Sequence, residues 1–239
     1  MSRTARLVHL NRTISFLPAQ VLRFAGALVL FAAAAGAFAE DTTPPPTTTL
    51  FIFRTGERLD SPHIGTYHFL EFLQARRKWI YPDIGYVDYA TGSYRELFLG
   101  GGRTLYNGKP LTLIEELYFV QATGPAAGSA RYIWPWTMLQ VRFTPKLANE
   151  TVYFLYVPLN DSARVQHVLE RSKLEYSLNR RWKMGGGYGG YKFAETKWQN
   201  KPFVTATFSS RIGDFEAWLQ KLPVGAQVQV RYQFVHSGH

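Results

Sequence analysis

The chain of 239 residues contains no cysteine. That excludes disulfide staples and cysteine-ligated zinc or iron–sulfur centres. Charged residues are scarce, at 18%, where a usual globular domain carries about 25%. The sequence has no H-E-x-x-H, no G-x-S-x-G and no Gly-rich run followed by Lys-Ser/Thr. The usual sequence signs of zinc proteases, serine hydrolases and P-loop nucleotide binders are therefore missing. Beyond residue 39 no apolar run reaches the length of about 18 residues that a membrane-spanning helix needs. What is plentiful is aromatic: 14 Tyr, 17 Phe and 6 Trp make up 15% of the chain. Disordered chains are poor in such residues, so the composition points to a folded protein.

The first 23 residues carry Arg3, Arg6, Arg12 and Arg23 and no acid. Residues 24–39 are one apolar run ending in Ala37-Phe38-Ala39, with Glu40-Asp41 next. A basic region, a short apolar core and small residues at the cleavage positions describe a secretory signal peptide over 1–39. The run is about 16 residues, too short to span a bilayer. Mass spectrometry of the exported protein is expected to find Glu40 as its first residue; an intact Met1 in the envelope fraction would refute processing. The formal charge of +10 falls to +6 once those four arginines are removed. A moderate excess of that kind gives no reason to expect a nucleic-acid partner.

Residues 40–49, with Pro44-Pro45-Pro46 amid threonines, read as an extended linker. From Leu50 the chain alternates. Ala226, Val228, Val230, Tyr232 and Phe234 share one face, and Gln227, Gln229, Arg231 and Gln233 the other. Residues 137–144, 173–178 and 204–209 repeat the pattern, which is that of strands with one apolar and one polar face. A soluble sandwich alternates too. Two features favour a membrane barrel over 50–239. Many strands run near ten residues, where about 5–6 is common. Trp79, Trp134, Trp136, Trp182 and Trp198 also fall in or near turns, as interfacial girdles require.

Turns at 78–83, 106–110, 145–149, 180–181 and 210–213 interleave with loops at 59–64, 90–93, 124–130, 160–164, 194–201 and 222–225. The result is an all-β, antiparallel up-and-down transmembrane β-barrel of twelve strands, or ten if 84–89 and 214–221 are not strands. An even count returns both ends of the array to one side. The alternating Val228-x-Val230-x-Tyr232-x-Phe234 resembles the terminal strand of bacterial outer-membrane proteins. Trp182 to Phe193 is similar to their hairpin-leading strands. The resemblance is to the class and implies an outer-membrane location, with outer-membrane lipids and the insertion machinery as partners. Small twelve-stranded porins for acidic oligosaccharides are an architectural parallel.

Candidate chemistry is sparse. His63 and His68 flank a loop with Glu71 nearby, but no histidine pair has metal-ligand spacing, and no metal or cofactor is expected. His167 and Ser172 differ by five, which by simple alternation sets them on opposite faces and argues against a lipid hydrolase dyad. The glycines at 100–102, 185–187 and 189–190 read as relief of crowding in curved strands. Extending each alternation inward selects Arg142, Lys173, Arg211 and Arg231 together with Glu96, Glu116, Glu175 and Glu216 as lumen-lining. Glu115 adjoins Glu116, so one of the two should face lipid unless a bulge or a rim position intervenes. The leading function is a small passive channel for polar or anionic solutes. The alternatives are a structural or adhesive barrel without a pore and a lipid-modifying barrel enzyme.

Overall fold

The computed structural model describes residues 47–60, 67–89, 92–160, 166–193 and 196–238. The leader, its cleavage point, linker residues 40–46 and His63 lie outside the described residues. Twelve strands follow in chain order: β1 (Thr47–Arg58), β2 (Tyr67–Arg76), β3 (Trp79–Tyr89), β4 (Tyr94–Asn107), β5 (Leu111–Thr123), β6 (Arg131–Arg142), β7 (Leu147–Pro158), β8 (Gln166–Ser177), β9 (Trp182–Phe193), β10 (Gln199–Ser210), β11 (Gly213–Lys221) and β12 (Ala226–Gly238). Each pairs antiparallel with its sequence neighbours, and β12 returns to β1 in register from Thr47↔Gly238 to Arg58↔Gln227. The sheet is a closed barrel with no free edge, so the strands satisfy one another's backbone polar groups outside a few bulges.

Several boundaries differ from the sequence reading, and β7 starts at Leu147, inside the expected turn 145–149. β1 begins at Thr47 because β-branched threonines pair well with the end of β12. The expected turn at 78–83 is mostly strand: the turn itself is Arg77-Lys78, with Arg77 at φ 56°, and the register slips between Ile80 and Asp83 around Pro82. Pro202 sits within β10, which starts at Gln199 rather than after residue 201.

Facing is set by period-2 alternation. In β12 Val230 and Phe234 are exposed on the outside, while Gln229 faces in and donates to Gln220 and Gln227. Phe51, Phe72, Leu97, Leu117, Val204 and Leu219 continue the apolar exterior on other strands. Val230→Arg is expected to block assembly, since Arg on the lipid face costs about 2–4 kcal/mol near mid-bilayer. Gln229→Arg is expected to be tolerated. Heat-modifiable gel mobility of membrane fractions reads both, and equal tolerance would refute the facing.

The tryptophans correct one expectation. Trp134 and Trp136 lie on the inward face of β6, and Trp218 on that of β11. Trp134 packs between Phe98, Phe154 and Tyr156 at ring separations of 5.4, 5.3 and 4.9 Å. These aromatics fill the interior over β4–β7, where a girdle would have faced lipid. Trp182 does lie outside, exposed at the start of β9 against Phe208.

Inward glycines allow close approach of the facing strand. A Cβ at Gly102 would sit 2.0 Å from the Glu115 carbonyl oxygen, and one at Gly187 would sit 2.0 Å from that of Ser172. Those positions admit no side chain because the backbone of the facing strand itself comes that close.

Candidate functional site

Six of the eight expected lumen residues occupy inward positions. Glu96, Glu116, Lys173 and Glu216 are buried, and Glu175 and Arg231 are half-buried. Lys173 Nζ donates to Glu216 Oε1 at 2.7 Å and lies 3.3 Å from Glu175 Oε1. Arg231 Nε stands 3.1 Å from Glu216 Oε2. Thr205 and Thr207 of β10 donate to Glu216 and Glu175 at 3.0 and 2.9 Å. Arg142 ends β6 at the turn side and is exposed, and Arg211 stands in the β10–β11 turn. Neither joins the buried network: Arg142, the last residue of β6, keeps the inward register opposite Ala148 but stands at the turn-side rim, and Arg211 lies in the turn itself.

Sequence reasoning missed the residues that cross the lumen. Arg54 of β1 donates through Nη1 to Glu170 Oε1 of β8 at 2.6 Å. Around the ring β1 and β8 are five strands apart on one side and seven on the other, so this pair spans the barrel. Arg171 extends it, donating to Glu170 Oε1 and to Glu150 Oε1 of β7, both at 2.5 Å. The guanidinium of Arg54 also lies over Phe69 and Trp218, 5.4 and 5.6 Å from the ring centroids.

A β-bulge makes this crossbar. The β7–β8 register runs Val152↔Arg171 and then Tyr153↔Leu169, which leaves Glu170 without a partner. The extra residue lets adjacent Glu170 and Arg171 both reach the lumen. Two opposite charges side by side in mid-strand were its sequence signal. The same bulge overturns the parity argument for His167 and Ser172, which both lie on the outer face. There Tyr153 Oη and His167 Nδ1 are 2.6 Å apart, and Ser172 Oγ is 3.0 Å from Thr151 Oγ1. Each has a separate partner and no dyad forms.

The wall formed by β2–β5 is acidic and lacks bases. Tyr118 Oη lies 2.8 Å from both Asp83 Oδ2 and Glu116 Oε2. Glu96 accepts from Tyr94 at 2.8 Å and from Tyr156 at 3.2 Å. Glu71 lines the same space. No ion pair reaches Glu71, Asp83, Glu96 or Glu116 among the described residues, whereas Arg54, Arg171, Lys173 and Arg231 all have carboxylate partners. Lys183 and Lys201 also face inward, Lys201 over the Tyr191 ring at 4.5 Å.

A cavity of about 690 Å³ runs the length of the barrel, from Thr48, Ala75 and Val235 at the turn end to Arg58, Tyr89 and Gln227 at the loop end. A second, of about 170 Å³, lies among Lys173, Glu175, Lys183, Asp214 and Glu216. At the loop mouth Arg58 holds Asp60 by two hydrogen bonds of 2.6 and 3.1 Å, which keep the Asp60 carboxyl below the usual range. Outside, His68 lies 3.2 Å from Thr55. Among the described residues no group of three or more His, Asp or Glu side chains is arranged to hold a metal ion.

A closed twelve-strand barrel with an apolar exterior and a charged, lengthwise lumen has the architecture of the small outer-membrane porins. Solved structures show the likeness directly. The KdgM porin in complex with disordered oligogalacturonate superposes with a TM-score of 0.58 at 9% identity, over 80% of this chain and 99% of that one. The NanC porin gives 0.56 at 10% identity, over 79% and 100%. At such identities the shared property is the fold. No protein-family model matches the sequence, and no curated protein does.

Proposed function

We propose that the protein is a narrow passive channel of the outer membrane for small polar solutes. The observation that carries this reading is the cavity joining both ends of the barrel past the charged crossbar. Twelve strands lie between the roughly 8 that side chains can fill and the 16–18 of wide porins, and the aromatic cluster narrows the interior further. Export through the leader, cleavage near Ala39 and insertion into outer-membrane lipid by the machinery that reads β12 belong to the same proposal.

Anionic oligosaccharides are the second reading, supported by the fold shared with a porin described with oligogalacturonate and by the basic mature chain. The unpaired lumen carboxyls weigh against it. Purified, folded protein in planar bilayers tests the proposal: unitary conductance steps are expected in potassium chloride. Folded protein that never conducts would refute the channel and favour a structural barrel.

A further inference from the structure

The outer wall is not uniform. On β10 and β11 the outward residues near mid-strand are Val204, Ala206, Phe208, Phe215, Ala217 and Leu219, with no polar group among them. On the opposite side the outward face of β4–β8 carries polar groups among apolar ones such as Leu97, Leu99 and Leu117. Glu115 faces out with no bulge, in an unbroken ladder of Arg103↔Glu115 and Gly102↔Glu116. The expected bulge does not fall on Glu115 itself: the register shifts beside it, between Thr104 and Tyr106, and Arg103 pairs on its other side with Trp79, the first residue of β3 after the Arg77-Lys78 turn. Thr137 Oγ1 donates to Glu115, 3.0 Å from either oxygen. Thr151, Ser172 and Asn149 continue the patch on β7 and β8, joined by hydrogen bonds of 3.0 Å. Arg103 is exposed and makes no ion pair among the described residues, although its register partner is the oppositely charged Glu115.

Hydrocarbon offers such groups no hydrogen bond and no countercharge. An outer wall that carries a carboxylate, a guanidinium and hydroxyls is suited to face protein. We infer that this wall packs on the same wall of a second copy, in a two-fold dimer whose axis along the membrane normal passes between β4 and β5. A two-fold there exchanges neighbouring positions, so Arg103 of each copy meets Glu115 of the other. An isologous contact must be self-complementary, and this patch is. It carries one charge of each sign in adjacent register, and on the neighbouring β6 the hydroxyl of Thr137, which donates as well as accepts. The dimer goes beyond the channel proposal and does not depend on it, because a closed barrel would pair through the same wall.

The absence of cysteine makes the test direct. Leu117→Cys places a single thiol at the outward position next to Glu115. Leu219→Cys places one on β11, six strands around the ring. Native membranes are treated with a short bis-maleimide, and heat-modifiable mobility confirms that each variant is folded. Leu117→Cys is expected to give predominantly a species of twice the mass, and Leu219→Cys to stay monomeric. Adding Arg103→Glu should reduce the crosslinked form severalfold, and adding Glu115→Arg to that should restore it. Should Arg103→Glu fail to fold, Glu115→Gln with the same readout takes its place, again with loss of dimer expected. Folded Leu117→Cys that stays monomeric, equal crosslinking at both thiols, or a dimer indifferent to both charge variants would each overturn the inference.

Discussion

Arg54→Ala should raise the unitary conductance, with the barrel still folded. Arg54 is the only residue of β1 that reaches across to β8 among the hydrogen bonds of the described residues, and its guanidinium stands in the longer cavity. Truncation removes the crossbar and leaves Glu170 paired with Arg171 at 2.5 Å. Glu170 is therefore not stranded, and the stability loss should stay below the roughly 3–5 kcal/mol typical of a buried charge deprived of its partner. Glu170→Gln should also raise conductance. Its stability cost is larger, since both Arg54 and Arg171 lose their shared carboxylate. The two substitutions break one bridge, so their effects on conductance should not add. Single-channel recording of both variants and the double decides this. Unchanged conductance in folded Arg54→Ala would mean that solutes pass elsewhere or not at all.

In alkaline potassium chloride gradients the reversal potential should show cation preference, and Glu71→Gln with Glu116→Gln, the two unpaired carboxyls that line the cavity, should reduce it. The counting behind this is local. The four inward bases of the waist are held by Glu150, Glu170, Glu175 and Glu216. Glu71, Asp83, Glu96 and Glu116 remain without a basic partner among the described residues. An unpaired charge at about 4 Å contributes ~1 kcal/mol to a passing ion even at water-like screening. Two of them account for roughly thirtyfold in the permeability ratio, at about 1.4 kcal/mol per decade. The preference should fade as salt rises and the screening length shrinks. Arg142→Gln should barely move it, because Arg142 is exposed at the turn end. Anion preference in wild-type protein would favour the oligosaccharide reading and reject this one.

Much of the barrel was legible in the residues because alternation is a local property. Gln227, Gln229, Arg231 and Gln233 face in, and Val228 to Phe234 face out, as the period of two requires. Strand pairing follows from short turns, so twelve strands and the β1–β12 closure were within reach of the sequence. The inward glutamates Glu96, Glu116, Glu175 and Glu216 could be placed by the same counting. The count failed wherever one residue was inserted, and it reached only the rim where a strand ended. Glu170 is such an insertion, and it flips the face of everything before it in β8, His167 included. Arg142 and Arg211 stand where strands give way to turns.

The sequence by itself determined the class of fold, the faces of most strands and an exterior fit for lipid, since each rests on neighbours one or two residues apart. Only the tertiary structure decided that Arg54 meets Glu170, that Trp134 packs among the inward aromatics, that Arg54, Arg171, Lys173 and Arg231 each meet a carboxylate, and that Glu115 sits outside beside Arg103. Those are contacts between strands far apart in the chain or around the ring. Their partners are set by register and closure, and no local period encodes either.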